Sequence, residues 1–410
     1  MDFSLKKPCI GGSYAMKRVE LLAPAGDLEK LKIAILYGAD AVFLGGEEFS
    51  LRARASNFTI EDIKEACSFA HKHKARVHVT TNILPHNENL PHLIEYLKQL
   101  EECGVDCIIA ASPYIIKTAL ENTNLEVHVS TQQSITNYEA VKFYEKLGCK
   151  RVVLAREATI EEIKEIKAHS NVEIEAFIHG GMCASISGRC MLSNVMTDRD
   201  ANRGGCAHSC RWNYDLYDGE TKVNENGYFQ MSSKDLASIR EIPRLIDANV
   251  DSFKIEGRMK SIHYIATVVS NYRKIIDDYL TTGVVDFEYY EREMKKAANR
   301  LTSTGFLEGI VTPNEQLYNL RSEEPTKEFI GIILDYDEET KTAIVEQRNY
   351  FLPNDTIEVF GPSIKTTKFV VGEIKDINGI SLDAARHPRQ LLQITIPFKV
   401  NKNDMLRLVK

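Results

Sequence analysis

The chain has 410 residues, 43% of them apolar and 27% charged, and a formal net charge of −7. This composition is that of a soluble globular protein and excludes intrinsic disorder and a small disulfide-stapled scaffold. At roughly 150 residues per domain it implies two or three domains, and mild acidity excludes a wholly basic nucleic-acid coat while leaving room for a local patch.

At the start of the chain, MDFSLKKPCIGGSY lacks the apolar stretch of a secretory signal, and no later apolar run reaches the roughly 20 residues that cross a bilayer. A cytoplasmic protein with no membrane partner is expected. Short β-branched runs then alternate with amphipathic segments, the pattern of parallel strands joined by crossover helices. Strands are predicted at 19–26, 41–46, 77–82, 107–111, 127–132, 152–157 and 174–180. Helices are predicted after the N-cap Asp27 and over 59–74, 93–104 and 159–169, with Thr59 and Thr159 opening two of them.

After the seventh strand the rhythm breaks for about seventy residues, until SFKIEGR at 252–258 and a helical 262–280 restore it. Eight strand–helix units fit a (β/α)8 TIM-like barrel over 17–283, with an insertion at 180–250 between strands seven and eight. The alternative is an open doubly wound sheet, but no G-x-G-x-x-G follows the first strand. In a barrel the carboxyl ends of the strands meet at one mouth, where this fold places its chemistry. Pro24, Gly45, Asn82, Ser112, Gln132, Glu157, His179, Glu256 and Arg258 stand there. His179, Glu157 and Glu256 are candidate acids or bases; Asn82, Gln132 and Arg258 are candidate substrate contacts. For any one of them a strand-end cap is an equal reading.

Residues 284–327 read as a helical connector, including YYEREMKKAANRL. Over 328–410 the pattern changes to short strands between Asp, Asn, Gly and Pro turns, which predicts a small antiparallel β-barrel domain. Its end carries Arg386, Arg389, Lys399, Lys402, Arg407 and Lys410 against Asp404 alone. Such a stretch either contacts RNA phosphate or forms a solvated strand.

The strongest chemical feature lies in the insertion. Cys183, Cys190, Cys206 and Cys210 fall within 28 residues with the spacing C-x6-C-x15-C-x3-C, and nine cysteines in a reducing compartment point to metal or redox chemistry more than to disulfides. Zinc favours tight C-x2-C pairs, whereas irregular gaps contributed by loops suit the larger body of an iron–sulfur cube; a 4Fe-4S cluster is expected, with Zn as the alternative. Gly180, Gly181, Gly188, Gly204 and Gly205 let backbone approach such a centre. Cys67, Cys103, Cys107 and Cys149 read as packing residues. Arg189, Arg199, Arg203 and Arg211, beside Asp198 and Asp200, suit an anionic substrate or RNA backbone, or local salt bridges. His208 reads as a loop histidine. H-E-x-x-H, G-x-S-x-G and the Walker loop are missing, so proteolysis has no support from motifs.

EAFIHGGMC at 175–183 and GRCMLS at 188–193 follow the pattern E-x-F-x2-G-[SA]-[LIVM]-C-x4-G-x-C-x-[LIVM]-S, with Gly181 at the Ser/Ala position. Together with ELLAPAGDLEKLKIAILYGADAVFLGG at 20–46, SSKDLASI at 232–239 and FKIEGRMKS at 253–261, this resembles the family catalogued as peptidase U32, or collagenase-like proteases. The two-domain form with CAHSCRWNY at 206–214 is similar to its tRNA hydroxylation branch. That resemblance implies prephenate-dependent formation of 5-hydroxyuridine at the tRNA wobble position, with a 4Fe-4S cluster on Cys183, Cys190, Cys206 and Cys210. Prephenate carries two carboxylates, so Arg203 or Arg258 would hold it while the basic tail steers tRNA. A paralogous subunit is a further candidate partner. The competing readings are a metal-dependent peptidase and an RNA-binding factor whose cluster is structural.

Overall fold

The structure is a computed structural model that describes residues 19–51, 57–224, 227–297, 300–317 and 328–409. The first two residues of the expected barrel, 318–327 of the expected connector, and Lys410 lie outside the described residues.

The barrel wall begins with β1 (Glu20–Pro24), β2 (Ala41–Gly45), β3 (Arg76–Thr81), β4 (Cys107–Ala110), β5 (Glu126–Val129), β6 (Arg151–Val153) and β7 (Glu173–Gly180). The insertion carries a small hairpin, β8 (Tyr217–Asp218) with β9 (Thr221–Lys222), and then β10 (Asp235–Ala237). Strand β11 (Ser252–Ile255) pairs in parallel with both β7 and β1. The ring is therefore closed, and the open-sheet alternative falls. Around it run α1 (Leu28–Leu36), α2 (Ile60–Lys72), α3 (Leu93–Glu102), α4 (Pro113–Asn122), α5 (Tyr138–Leu147) and α6 (Ile160–His169). The insertion adds α7 (Leu192–Thr197) and leads into α8 (Ile242–Asp247); α9 (Ile262–Thr282) and α10 (Phe287–Lys295) follow the last barrel strand.

The helices start where their side chains can satisfy free N–H groups. Asp27 accepts from the Lys30 N–H, and reciprocal capping boxes join Thr59 to Asp62 and Thr159 to Glu162. Each helix then buries one stripe against the strands, as α2 does with Ile63, Ala66, Cys67 and Ala70.

Along the strands side chains alternate between the helix layer and the barrel axis, so the inward residues stack in layers. Phe43, Thr80, Ile109, Ser130, Phe177 and Lys254 floor the cavity at the carboxyl end. Two residues back along their strands, most of these positions lead to a buried polar layer: His78, Cys107, His128, Arg151, Glu175 and Ser252. Barrels usually fill such a layer with Val, Ile and Leu. Here Arg151 reaches Glu20 at 2.5 Å, Glu173 at 2.7 Å and Glu175 at 3.1 Å, and Lys254 reaches Glu175 at 2.7 Å.

The connector is not purely helical, because β12 (Thr302–Ser303) pairs with β10 and extends the barrel sheet. Beyond it, β13 (Phe329–Asp337), β14 (Thr342–Gln347), β15 (Thr356–Phe360), β16 (Thr367–Val370), β17 (Ile374–Asp376), β18 (Ser381–Leu382), β19 (Leu391–Thr395) and β20 (Met405–Leu408) form one antiparallel sheet. Its order is β16-β15-β20-β13-β14-β19-β17-β18, and among the described residues its two edges do not pair. The expected barrel is thus a curled half-barrel.

Three of the basic residues of the tail, Arg386, Lys399 and Arg407, are engaged in internal pairs. Arg407 is 2% exposed and lies 3.2 Å from Glu293 and 3.3 Å from Glu358, while Arg386 pairs with Asp383 and Lys399 with Glu338. Arg407 belongs to the domain junction, where it stacks over Phe360 at 3.7 Å, rather than to a phosphate-facing surface.

Candidate active site and metal centre

A cavity of about 440 Å³ opens at the carboxyl ends of the barrel strands and is roofed by the insertion. The backbone leaves the barrel at Gly180, which has φ +107° and where a Cβ would run into the carbonyl oxygen of Glu256. Only glycine fits both constraints. At Gly181 a side chain would stand 3.2 Å from Glu256 Oε2 and 3.3 Å from Arg211 Nη2, so the glycine in place of Ser or Ala leaves that corner open. The cluster loop is then pinned to the mouth: Ser187 N–H donates to Glu157 Oε1 at 3.1 Å, and Arg189 Nε to the Gln132 carbonyl at 2.7 Å.

Cys183, Cys190, Cys206 and Cys210 all line this cavity, and none is in a disulfide. The sequence drew them together on spacing; the fold gives them one shared space. Burial works against ionisation of Cys190, but hydrogen bonds from Ser185 and from the backbone N–H groups of Ser193 and Leu192 outweigh it and lower its thiol. Cys210 is raised by burial and then by the negative fields of Cys183, Cys206 and Cys190. Mutual repulsion of this kind is what a bound cation relieves. Free thiols in one cavity, with N–H groups aimed at a sulfur, fit an iron–sulfur cluster.

Two of the expected substrate contacts face the same space as a joined pair. Asn82 Nδ2 donates to Gln132 Oε1 at 2.9 Å, and the Ser130 hydroxyl donates to that same oxygen at 3.0 Å. Glu256 also lines the cavity and accepts from the Gly181 N–H at 3.2 Å. Arg258 lines it from a fixed seat, donating to the Gly45 carbonyl at 3.2 Å, Asn57 at 2.6 Å and Ser50 at 3.4 Å.

Three expected residues lie elsewhere. A register shift sets Lys254 opposite Phe177 but Ile255 opposite His179, so β7 carries one extra residue there. That bulge interrupts the alternation. His179 consequently packs behind the wall, 3.1 Å from the Tyr272 hydroxyl and beside the Tyr264 ring. Burial, with Lys260 adding and Glu256 opposing, pushes it down to about 3, so it stays neutral near pH 7. Glu157 holds the cluster loop instead of facing the cavity, and Arg203 turns away to Glu88 at 2.5 Å. In their place the cavity gains Arg156, Arg199, Arg211 and Lys254. Arg199 and Arg211 were legible in the insertion; Arg156 and Lys254 were not assigned. A lysine inside an otherwise apolar strand was the available sign for Lys254, whose ammonium lies 4.7 Å from the Phe43 ring.

Among the described residues no helix is long and apolar enough to cross a membrane. The sequence matches Peptidase family U32 over residues 26–316 and the Peptidase family U32 C-terminal domain over 325–407. It is 51% identical to tRNA hydroxylation protein P1 of Bacillus subtilis, across 97% of this chain and 96% of that protein. It is 31% identical to tRNA hydroxylation protein P of Escherichia coli across 95% and 96% of the two chains. A collagenase of Porphyromonas gingivalis is 35% identical over 71% of this chain and 72% of its own. With both domain types matched in order and relatives aligned along nearly the whole length, the chain belongs to peptidase family U32.

Proposed function

We propose that this chain is a tRNA-modifying enzyme that forms 5-hydroxyuridine at the wobble position, with prephenate required and a 4Fe-4S cluster on Cys183, Cys190, Cys206 and Cys210. The observation that carries the reading is the 51% identity, over 97% of the chain, to a tRNA hydroxylation protein. The cavity supports it by combining four free thiols with a cationic lining. A cluster there would supply one-electron redox capacity at the mouth.

The chain's own residues bind and orient. Lys254 and Arg258 place fixed positive charge at the floor and wall of the cavity, where a dicarboxylate gains two-point contacts. The Asn82–Gln132 amide pair offers donors and acceptors to the edge of a uracil ring. Glu256 Oε2, next to Gly181 and in the cavity, is the group placed to hold or accept a proton. The peptidase reading has weaker support, since the sequence carries neither H-E-x-x-H nor G-x-S-x-G and His179 is buried behind the wall.

Nucleoside mass spectrometry of tRNA from a deletion strain tests the proposal. The wild-type gene is expected to restore 5-hydroxyuridine, whereas Cys183→Ala restores none and yields a protein that loses its brown colour on anaerobic purification. Restored hydroxylation with a colourless Cys183→Ala protein would remove the cluster from the proposal. A deletion strain whose tRNA keeps its 5-hydroxyuridine, in the absence of a paralogue, would remove the function.

A further inference from the structure

We infer that the barrel interior contains a second metal site, separate from the four cysteines, in which His78, Cys107 and His128 bind one thiophilic transition-metal ion of the zinc or copper(I) class. The inference does not rest on the hydroxylation reading. His78 comes from β3, Cys107 from β4 and His128 from β5, three adjacent strands in parallel register. One ligand atom from each lies within 4.8 Å of the others. Cys107 Sγ is 3.3 Å from His128 Nδ1, and the two imidazole rings meet edge-on at 5.0 Å. Ligand atoms around a zinc ion with bonds of about 2.0–2.3 Å stand roughly 3.3–3.8 Å apart, so a small inward movement brings these three donors to bonding distance.

Burial and pairing distinguish this cluster from ordinary packing. All three residues have no exposure. Buried imidazoles nearly always find a hydrogen-bond partner. His78 has none at either nitrogen, and His128 has none at Nε2. A cation bound between them would engage a His78 nitrogen that otherwise has no hydrogen-bond partner. Glu126 Oε2 lies 3.5 Å from His128 Nε2, on the side away from Cys107, the place where a carboxylate orients a metal-bound histidine.

The charge around the cluster admits an ion. Arg76, Arg151 and Lys254 are countered by Glu20, Glu126 and Glu175 among the groups that act on these ligands. Two neutral imidazoles and one thiolate then cancel a monovalent ion and leave a divalent ion with a single charge. The His2Cys donor set selects soft or borderline metals over calcium or magnesium. The position gives the site a task. Thr80, Ile109 and Ser130, the next inward residues on the same strands, line the cavity, so an ion clipping β3, β4 and β5 fixes the floor of the proposed active site.

The test uses the full chain from cells grown with zinc or copper, in wild-type form and with Cys183, Cys190, Cys206 and Cys210 all replaced by Ser. We expect about one zinc or copper ion per chain to survive the fourfold replacement, and a further Cys107→Ser change to lower occupancy at least tenfold. Cobalt(II) exchanged into the fourfold variant should show a thiolate charge-transfer band that Cys107→Ser abolishes. Elemental analysis decides between zinc and copper. A folded fourfold variant with neither ion nor cobalt band, or a band that persists in Cys107→Ser, overturns the site. Should the fourfold variant not fold, X-ray absorption at the zinc or copper edge of the wild-type chain decides. A shell with two nitrogens and one sulfur supports the site, and a sulfur-only shell, or no such metal, refutes it.

Discussion

Glu175 is wholly buried and nevertheless held as an anion. Burial opposes its ionisation, but the Lys254 ammonium at 2.7 Å and the Arg151 guanidinium at 3.1 Å overcome that and bring it down to about 2. Its folded value lies below its unfolded one, so the stabilisation is complete above about pH 4.5 and is lost as pH falls toward 2. Glu175→Gln keeps the shape and removes the charge, leaving two buried cations short of a partner. We expect a loss of about 3–5 kcal/mol in urea unfolding at pH 7, constant down to about pH 4.5 and shrinking below it as the pH is lowered toward 3. A loss below about 1 kcal/mol would mean that Glu20 and Glu173 alone satisfy Arg151. The same ion pair anchors Lys254, which lines the cavity, so the residue that stabilises the interior also fixes a side chain of the cavity floor.

The elements were the most legible part of the chain, and the reasons are local. All eight barrel strands were readable because β-branched runs buried on both faces alternate with helices of three- and four-residue periodicity. Thr59 and Thr159 marked two helix starts that the structure confirms as capping boxes. Thr159→Ala removes one side of such a box and should cost about 1 kcal/mol in chemical denaturation, whereas Thr159→Ser should cost less than half of that. Equal losses from the two substitutions would shift the effect from the hydroxyl to the methyl group. What the sequence hid depended on partners distant along the chain. Strands β10 and β12 have three and two residues, too few to carry a period, and exist because β10 pairs with β7 on one side and with β12 on the other. The placement of His179 turned on one extra residue in β7, which no alternation of apolar and polar residues announces. The grouping of the four cysteines was legible because they are close in sequence; His78, Cys107 and His128 come from three strands and share no spacing.

At the scale of the molecule the two domains share a continuous core. Ile332, Phe360 and Met405 of the half-barrel belong to the same buried cluster as the barrel helices, and Tyr37 donates to the Asn403 carbonyl at 2.8 Å. At the junction His263 of α9 stacks on Phe329 at 5.1 Å with Phe360 at its edge. Burial, then Arg407 and Lys296, press His263 down to about 3. A histidine freed by undocking would titrate near 6.5, so the separated state takes up the proton first. Docking is therefore fully favoured above about pH 6.5 and weakens by up to about 1.4 kcal/mol per pH unit as pH falls toward 3. Calorimetry should show one transition at pH 8 and a separate, earlier melting of the half-barrel at pH 5. His263→Phe preserves the stacking without the titration and should keep a single transition at pH 5. Arg407→Ala, which leaves Glu293 and Glu358 short of their guanidinium, should split the transition even at pH 8. If wild-type protein melts identically at both pH values, His263 does not couple proton uptake to docking, and the shared core alone holds the domains together.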